Sequence, residues 1–259
     1  MRQMLKSGNF IMTDAALHRV PRLFTDQRLA QGNVAVLEAA QAHYLKNVLR
    51  LNAADAVRLF NGSDGEWLCE IVQLAKKRAQ VVCREKLAEP APPPDIDYLF
   101  APLKAARLDY IAQKATEMGA RRIRPVLTQY TQVRKVNTHR LRANAIEAAE
   151  QCNLVYVPEV LEVMALDRLL QGWDGARRII YCDEAAPIAD PVMALKRIAP
   201  GPLAVLIGPE GGFAPREREM LRALPFVHAI RLGPRIMRAD TAGVAALALV
   251  QAVLGDWAA

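Results

Sequence analysis

The sequence predicts an α/β protein in two parts, a small β-rich module followed by a larger domain built on a parallel sheet. Three observations carry that expectation. Up to residue 89 short β-type runs are separated by turn chemistry, four of the five residues 90–94 are proline, and beyond residue 95 strands alternate with helices. A chain of 259 residues, 52% hydrophobic and 24% charged, has the length and apolar content for two such cores. That balance excludes disorder as a description of the whole.

Residues 1–19 match no element and read as an N-terminal extension. The module at 20–89 reads as a small β-barrel-like unit, with β-type runs at Val34–Leu37, Val57–Phe60, Trp67–Val72 and Ala79–Arg84. Asn61-Gly-Ser-Asp-Gly65 supplies a turn between two of them. One helix is expected at Ala39–Arg50, where His43, Lys46 and Arg50 recur at helical spacing. The linker 90–95 is stiff and extended, because proline fixes φ and has no N–H to give a helix. The domain at 96–259 opens with a strand at Tyr98–Ala101 and a helix whose apolar face is Leu108, Ile111, Ala112 and Ala115. A strand at Ile123–Leu127 follows, then a helix at Thr138–Cys152 that buries Leu141, Ala145, Ala148 and Cys152. Arg178–Cys182, Leu203–Ile207 and Val227–Leu232 read as further strands, each leading into a turn and a helical stretch.

No apolar run reaches the roughly 18 residues that a membrane span needs, and the charges scattered through Met1–Val20 do not fit an export signal. A cytoplasmic location is expected. The four cysteines and four histidines form no C-x-x-C or H-x-x-x-H, so no metal site is expected. Net charge is +7, and its distribution says more than its size. Residues 152–259 hold 11 basic and 12 acidic side chains, which leaves the whole excess in the first 151. Between Glu117 and Glu147 there is no acid, while Arg121, Arg122, Arg124, Arg134, Lys135, Arg140 and Arg142 accumulate. Such an acid-free basic stretch suits a polyanion, and nucleic acid is the expected partner.

Ligands of open α/β sheets bind outside the carboxyl ends of the strands, which directs attention to two loops. Leu206-Ile-Gly-Pro-Glu-Gly-Gly-Phe213 places three glycines within five residues before a helix starting at Pro215. It is neither G-x-x-x-x-G-K-[ST] nor G-x-G-x-x-G, and Glu210 would repel a phosphate, so a ligand with positive charge fits better. Leu232-Gly-Pro-Arg-Ile-Met-Arg-Ala-Asp-Thr-Ala242 then feeds a helix, apolar nearly all round from Val244 to Leu254, that must be covered by the core or by another chain. Within it, Arg235 and Arg238 beside Asp240 could form an ion pair that fastens the loop, and Thr241 could cap the helix.

This pair of loops closely resembles the C-terminal signature of the ribosomal RNA small-subunit methyltransferase E family, uracil-N3 methyltransferases of the SPOUT superfamily. Further matches are Gln113-Lys-Ala-Thr-Glu-Met-Gly119 with Pro125, Glu147-Ala-Ala-Glu-Gln151 with Val157-Pro158, and Pro21-Arg-Leu-Phe24 with Val48-Leu-Arg50. The resemblance covers residues 20–256. Three places depart from the family pattern: Asn153-Leu154, Gln129-Tyr130, and Arg238-Ala-Asp-Thr241 where the family commonly reads R-T-E-T.

The resemblance implies an N-terminal PUA-like RNA-binding barrel and a C-terminal SPOUT α/β domain with a deep trefoil knot. The implied reaction is S-adenosylmethionine-dependent methylation of N3 of a uridine in 16S ribosomal RNA, near the decoding site, by a homodimer. Leu206, Ile207, Gly208, Pro209, Glu210, Gly211 and Gly212 match the first cofactor loop, and Leu232, Gly233, Ile236, Met237 and Arg238 the second. Arg238 is the candidate to stabilise the uracil anion, Asp240 and Glu210 are the candidate bases, and Arg22, Arg50, Arg134, Lys135 and Arg140 are the candidate RNA contacts. The competing readings are a non-catalytic RNA-binding ribosome-assembly protein that keeps the fold, and a SPOUT enzyme acting at another RNA position, such as a ribose 2′-hydroxyl.

Overall fold

A computed structural model describes residues 14–187 and 190–258, so most of the N-terminal extension lies outside the described residues. The chain divides into two units. One runs to Pro92 and takes in Ala149–Val157, and the other comprises Pro93–Ala148 and Pro158–Ala259.

In the first unit, the single turn α1 (Asp14–Leu17) precedes β1 (Arg22–Phe24), β2 (Val34–Leu37), α2 (Ala39–His43), β3 (Ala56–Phe60), β4 (Glu66–Leu74) and β5 (Ala79–Ala88). The five strands form one sheet in the order β1-β3-β4-β5-β2, parallel at β1–β3 and antiparallel elsewhere. Its core includes Leu23, Leu37, Leu45, Val57, Leu59, Trp67 and Val81. The helix expected to reach Arg50 is α-helical only to His43. Tyr44–Val48 widens into a π-helix, and Arg50 leaves it with φ +57°. A π turn inserts one residue into the repeat, so His43, Lys46 and Arg50 no longer follow the α spacing.

The segment Ala149–Val157, expected inside the second domain, belongs to this first unit because Arg22 fastens it there. The Arg22 guanidinium donates to the Ala149 carbonyl at 2.6 Å and to the Leu154 carbonyl, while Phe24 N donates to Glu150 Oε1 at 2.9 Å. These bonds tie the last turn of the helix Thr138–Gln151 and the residues just after it to β1. Cys152, expected to be buried, is exposed just past the end of the helix at Gln151.

The second unit contains β6 (Ile96–Phe100), α3 (Ala105–Glu117), β7 (Arg122–Leu127), the start of α4 (Thr138–Gln151), β8 (Glu159–Val160), β9 (Met164–Ala165) and α5 (Leu166–Gln171). It continues with β10 (Arg178–Cys182), α6 (Pro191–Leu195), β11 (Leu203–Ile207), α7 (Pro215–Ala223), β12 (Val227–Ile230) and α8 (Ala239–Leu254). The sheet order is β12-β10-β11-β6-β7-β8, with β9 also on β7, and every pairing is parallel. Strands buried on both faces explain why β6, β10 and β11 read as almost unbroken apolar runs. One face packs α3 and α8 around Tyr98, Phe100 and Leu247, and the other packs α5 and α7 around Tyr181, Leu206 and Phe213. Among the described residues, no helix is long and apolar enough to cross a membrane.

Candidate active site

Three strand ends meet at one cavity of about 250 Å³. The two loops singled out in the sequence follow β11 and β12, and β10 lies between those strands. The chain leaving β10 therefore forms part of the wall, contributing Cys182, Asp183 and Glu184. Sequence reasoning missed these three. The signal was a Cys-Asp-Glu step closing an apolar strand, but only the strand order shows that it joins the two glycine loops.

The first loop uses its glycines for close approach and for an unusual turn. A Cβ on Gly208 would lie 2.5 Å from the Phe213 ring, which folds back over the loop and packs edge-on against Tyr181 with ring centroids 4.9 Å apart. Gly212 sits at φ +69°, a conformation that other residues rarely adopt. Beyond it, the Glu217 carboxylate in the first turn of α7 accepts from Ala214 N at 2.9 Å and from Gln129 N at 2.8 Å. A residue of the helix thus pins both its own entrance and the turn after β7.

The charged side chains of the wall are the carboxylates of Asp183, Glu184 and Glu210 and the guanidinium groups of Arg231 and Arg235. Asp183 is fully buried, accepts from Ala185 N at 3.0 Å, and is held by Arg222 at 2.5 Å and Arg218 at 3.4 Å. Arg218 also pairs with Glu184. Burial pushes the Cys182 thiol up to about 12, so it stays protonated at neutral pH and is no nucleophile. Burial also raises the Tyr181 hydroxyl above its ordinary value, with the nearby Asp183 charge adding to the effect.

Most of the predicted cofactor residues line the cavity: Ile207, Gly208, Pro209, Glu210, Gly211, Gly212, Leu232, Gly233, Ile236 and Met237. Leu206 and Arg238 are corrections. Leu206 is wholly buried in the core beneath the sheet, because alternate residues of a strand face opposite ways. Arg238 is the exposed residue at the N-cap of α8, and only its neighbours Met237 and Ala239 reach the cavity. Helix α8 begins at Ala239, which places Thr241 inside the helix rather than at its cap.

The ion pair that joins the loops is not the expected one. Asp240 and Glu210 both face Arg107 of α3, at 3.6 and 3.4 Å, while Arg238 makes no ion pair among the described residues. Arg107 was missed because it lies 103 residues from Glu210 in the chain.

Among the candidate RNA contacts, Arg50, Arg134 and Lys135 are exposed. Arg140 is exposed too, but it forms a two-pronged pair with Asp109 on α3. Arg22 is a correction, because it is 6% exposed and belongs to the interior of the first unit. Its guanidinium lies 3.9 Å from the Phe60 ring centroid. Its Nε is 3.1 Å from Glu66 Oε1, a charge contact without the alignment of a hydrogen bond. Arg58, opposite Arg22 in the β1–β3 register, shares Glu66 at 3.2 Å.

The fold and cavity define the class. The family of RNA methyltransferase domains matches residues 90–251, and that of RNA methyltransferase PUA domains matches residues 37–82. Among curated relatives, ribosomal RNA small subunit methyltransferase E of Rickettsia conorii is 31% identical over 232 residues, covering 89% of this chain and 94% of its own. That of Bacillus subtilis is 28% identical over 238 residues, covering 87% and 93%. Among solved structures, the Neisseria gonorrhoeae enzyme of that name bound to S-adenosylmethionine has a TM-score of 0.82 at 26% identity, covering 92% of this chain and 100% of its own. A Legionella pneumophila methyltransferase in complex with the same cofactor has a TM-score of 0.79 at 26% identity, covering 90% and 98%. The chain is a SPOUT-fold RNA methyltransferase with an N-terminal PUA domain. It belongs to the ribosomal RNA small subunit methyltransferase E family.

Proposed function

We propose that this chain methylates N3 of one uridine of 16S ribosomal RNA near the decoding site, using S-adenosylmethionine held in the cavity between the β10, β11 and β12 loops. The observation that carries this reading is the cavity itself, walled by bare glycine backbone and by three carboxylates, Asp183, Glu184 and Glu210, against two arginines, Arg231 and Arg235. Backbone without side chains admits the flat adenosine, and carboxylates favour a sulfonium over a phosphate. S-adenosylmethionine, when bound, supplies an electrophilic methyl group.

The chain's own residues then have three tasks. Glu210 of the cavity wall and Asp240 behind it are the candidate carboxylates to accept the N3 proton, and Arg107 holds both. Arg238, exposed, without an ion partner among the described residues and flanked by the cavity residues Met237 and Ala239, is the candidate cation for the charge that develops on the uracil ring. Arg50, Arg134, Lys135 and, to a lesser degree, Arg140 take the RNA backbone.

The active form is a homodimer, with the loops around the cofactor forming the trefoil knot of the superfamily. Ile236 on the cavity loop is 90% exposed, and Val244, Ala245 and Ala248 of α8 keep partial exposure on the face turned away from Ala246 and Val250. Apolar surface of that kind asks for a second copy. A ribosomal substrate places the protein in the cytoplasm. Partition at residues 20–89 and 96–259, amended for Ala149–Val157, gives an RNA-gripping module and a methyl-transferring domain.

The test is methyl transfer from labelled S-adenosylmethionine to small ribosomal subunits isolated from a strain lacking this protein, with mass mapping of the product. One methyl on one uridine base is the expected result. A methyl on ribose, on another base, or on no RNA at all overturns the assignment. Light scattering at micromolar concentration should give twice the chain mass, and a monomer mass defeats the dimer.

A further inference from the structure

The turn after β7 presents an aromatic ring that no hydrophobic core employs. Thr128 and Thr131 are 4% and 5% exposed, and they lock the turn: Thr128 N donates to Thr131 Oγ1 at 2.9 Å, Thr131 N donates to the Thr128 carbonyl at 3.2 Å, and the two hydroxyls are 2.9 Å apart. Glu217 grips the turn a second time through Gln129 N. Between these anchors Tyr130 stands 44% exposed. Its Cβ would be 3.6 Å from a Cβ built on Gly211, so the residue stands beside the glycine loop of the cavity. Four and five positions further on come the exposed cations Arg134 and Lys135, which make no ion pair among the described residues.

A tyrosine needed for folding would be buried and would give its hydroxyl a partner. Among the described residues Tyr130 does neither, and yet four hydrogen bonds made by Thr128, Gln129 and Thr131 fix the turn on either side of it. A rigid ring beside a cavity, followed by unpaired cations, has the composition of a single-strand platform, in which the π-face stacks a base and the cations take the phosphates. The inference rests on the reading of this cavity as the methyl-transfer site. We propose that Tyr130 is a positioning residue that stacks on a base of single-stranded substrate RNA at the mouth of the cavity. The nearby Gly211 leaves room for that base, since a side chain there would meet Tyr130 at van der Waals distance.

The experiment compares Tyr130→Phe, Tyr130→Trp, Tyr130→Leu and Tyr130→Ala in the full chain. Stacking depends on the ring and not on bulk or the hydroxyl, so Phe and Trp should keep kcat/KM for small subunits within about twofold. Leu and Ala should lower it by about 5- to 100-fold, with S-adenosylmethionine affinity by calorimetry unchanged. A second readout needs no turnover: the indole of Tyr130→Trp should be quenched by a uridine-containing single-stranded oligonucleotide. Full activity in Leu and Ala, loss in Phe equal to loss in Ala, or no quenching in Trp overturns the inference. If the wild-type chain binds cofactor but transfers no methyl to RNA, the functional reading fails instead, and the quenching and the variants' RNA affinities still decide the role of Tyr130.

Discussion

Arg107 Nε lies 3.6 Å from Asp240 Oδ2, and the same guanidinium reaches Glu210 Oε1 at 3.4 Å, so one side chain of α3 ties together the loops after β11 and β12. Both pairs are partly open to solvent, which limits each to about 0.2–1 kcal/mol. Arg107→Ala should therefore weaken S-adenosylmethionine binding by about 2- to 10-fold while shifting the melting temperature by less than about 3 °C. Arg107→Lys should recover part of the loss. Calorimetry on the three proteins checks this, and wild-type affinity in the alanine variant would remove the tie from the site.

Gly208 and Gly211 should respond differently to a side chain. At Gly208 an added Cβ meets Phe213, which is 4% exposed and wedged against Tyr181, so neither ring can yield cheaply. Gly208→Ala should lower cofactor affinity by at least about tenfold, with overpacking costing about 1–3 kcal/mol of stability as well. Gly211→Ala makes only ordinary contact with Tyr130 and should leave stability within about 0.5 kcal/mol. Denaturant unfolding alongside calorimetry separates the two.

The RNA contacts can be read from salt dependence. If Arg134 and Lys135 each neutralise a single-strand phosphate, replacing both by Ala should lower the slope of log affinity against log salt by about 1.4, with cofactor affinity unchanged. Arg140→Ala should add less, because Asp109 already neutralises that guanidinium. Arg238→Ala should keep the wild-type slope and lose turnover, since its charge is assigned to the transition state. An unaltered slope in the double variant, or an unaltered rate in Arg238→Ala, removes the corresponding role.

Arg22→Ala tests burial against RNA contact at the same residue. Removal strips the Leu154 carbonyl of its side-chain donor, leaves the Ala149 carbonyl with Leu154 N, and leaves buried Glu66 with Arg58. Loss of a buried donor and of one of the two cations on Glu66 costs about 1–3 kcal/mol. Stability should fall by that order in chemical denaturation. If stability is unchanged and the salt slope drops, Arg22 is an RNA contact after all.

Asp64 gives the first unit an acid-sensitive turn. Its carboxylate accepts from Leu29 N at 2.8 Å and Asn61 Nδ2 at 2.7 Å, and the Leu29 amide above all holds it below the ordinary carboxylate range. A carboxyl whose native pKa lies below its unfolded value of about 3.9 stabilises the fold fully above that pH, and the contribution disappears as pH falls through the native value. Asp64→Asn should cost about 1 kcal/mol at pH 7 and progressively less below pH 4. A constant difference across that range would show that the charge has no part in it.

The helix at residues 39–50 shows where local reading ends. Its apolar content and its start are written in the sequence, but the π turn at Tyr44–Val48 is not, because spacing alone does not reveal an inserted residue. The opposite case is the strand pair Arg178–Cys182 and Leu203–Ile207, whose bounds agree with those read from composition. Apolar runs closed by turn residues are local signals, and parallel strands buried on both faces make them continuous.

The sequence by itself determined the two-part α/β architecture, the basic excess in the first 151 residues and the two glycine loops. Each is written in neighbouring residues, where glycine, proline and charge act through the backbone next to them. Only the tertiary structure decided that β10 runs between β11 and β12 and adds Asp183 to the cavity, that Arg107 rather than Arg238 faces Asp240, and that Arg22 is interior. Those outcomes depend on which distant segments pack together. Arg22 meets Ala149 across 127 residues and Arg107 meets Glu210 across 103, separations at which no short-range preference of the chain selects the partner.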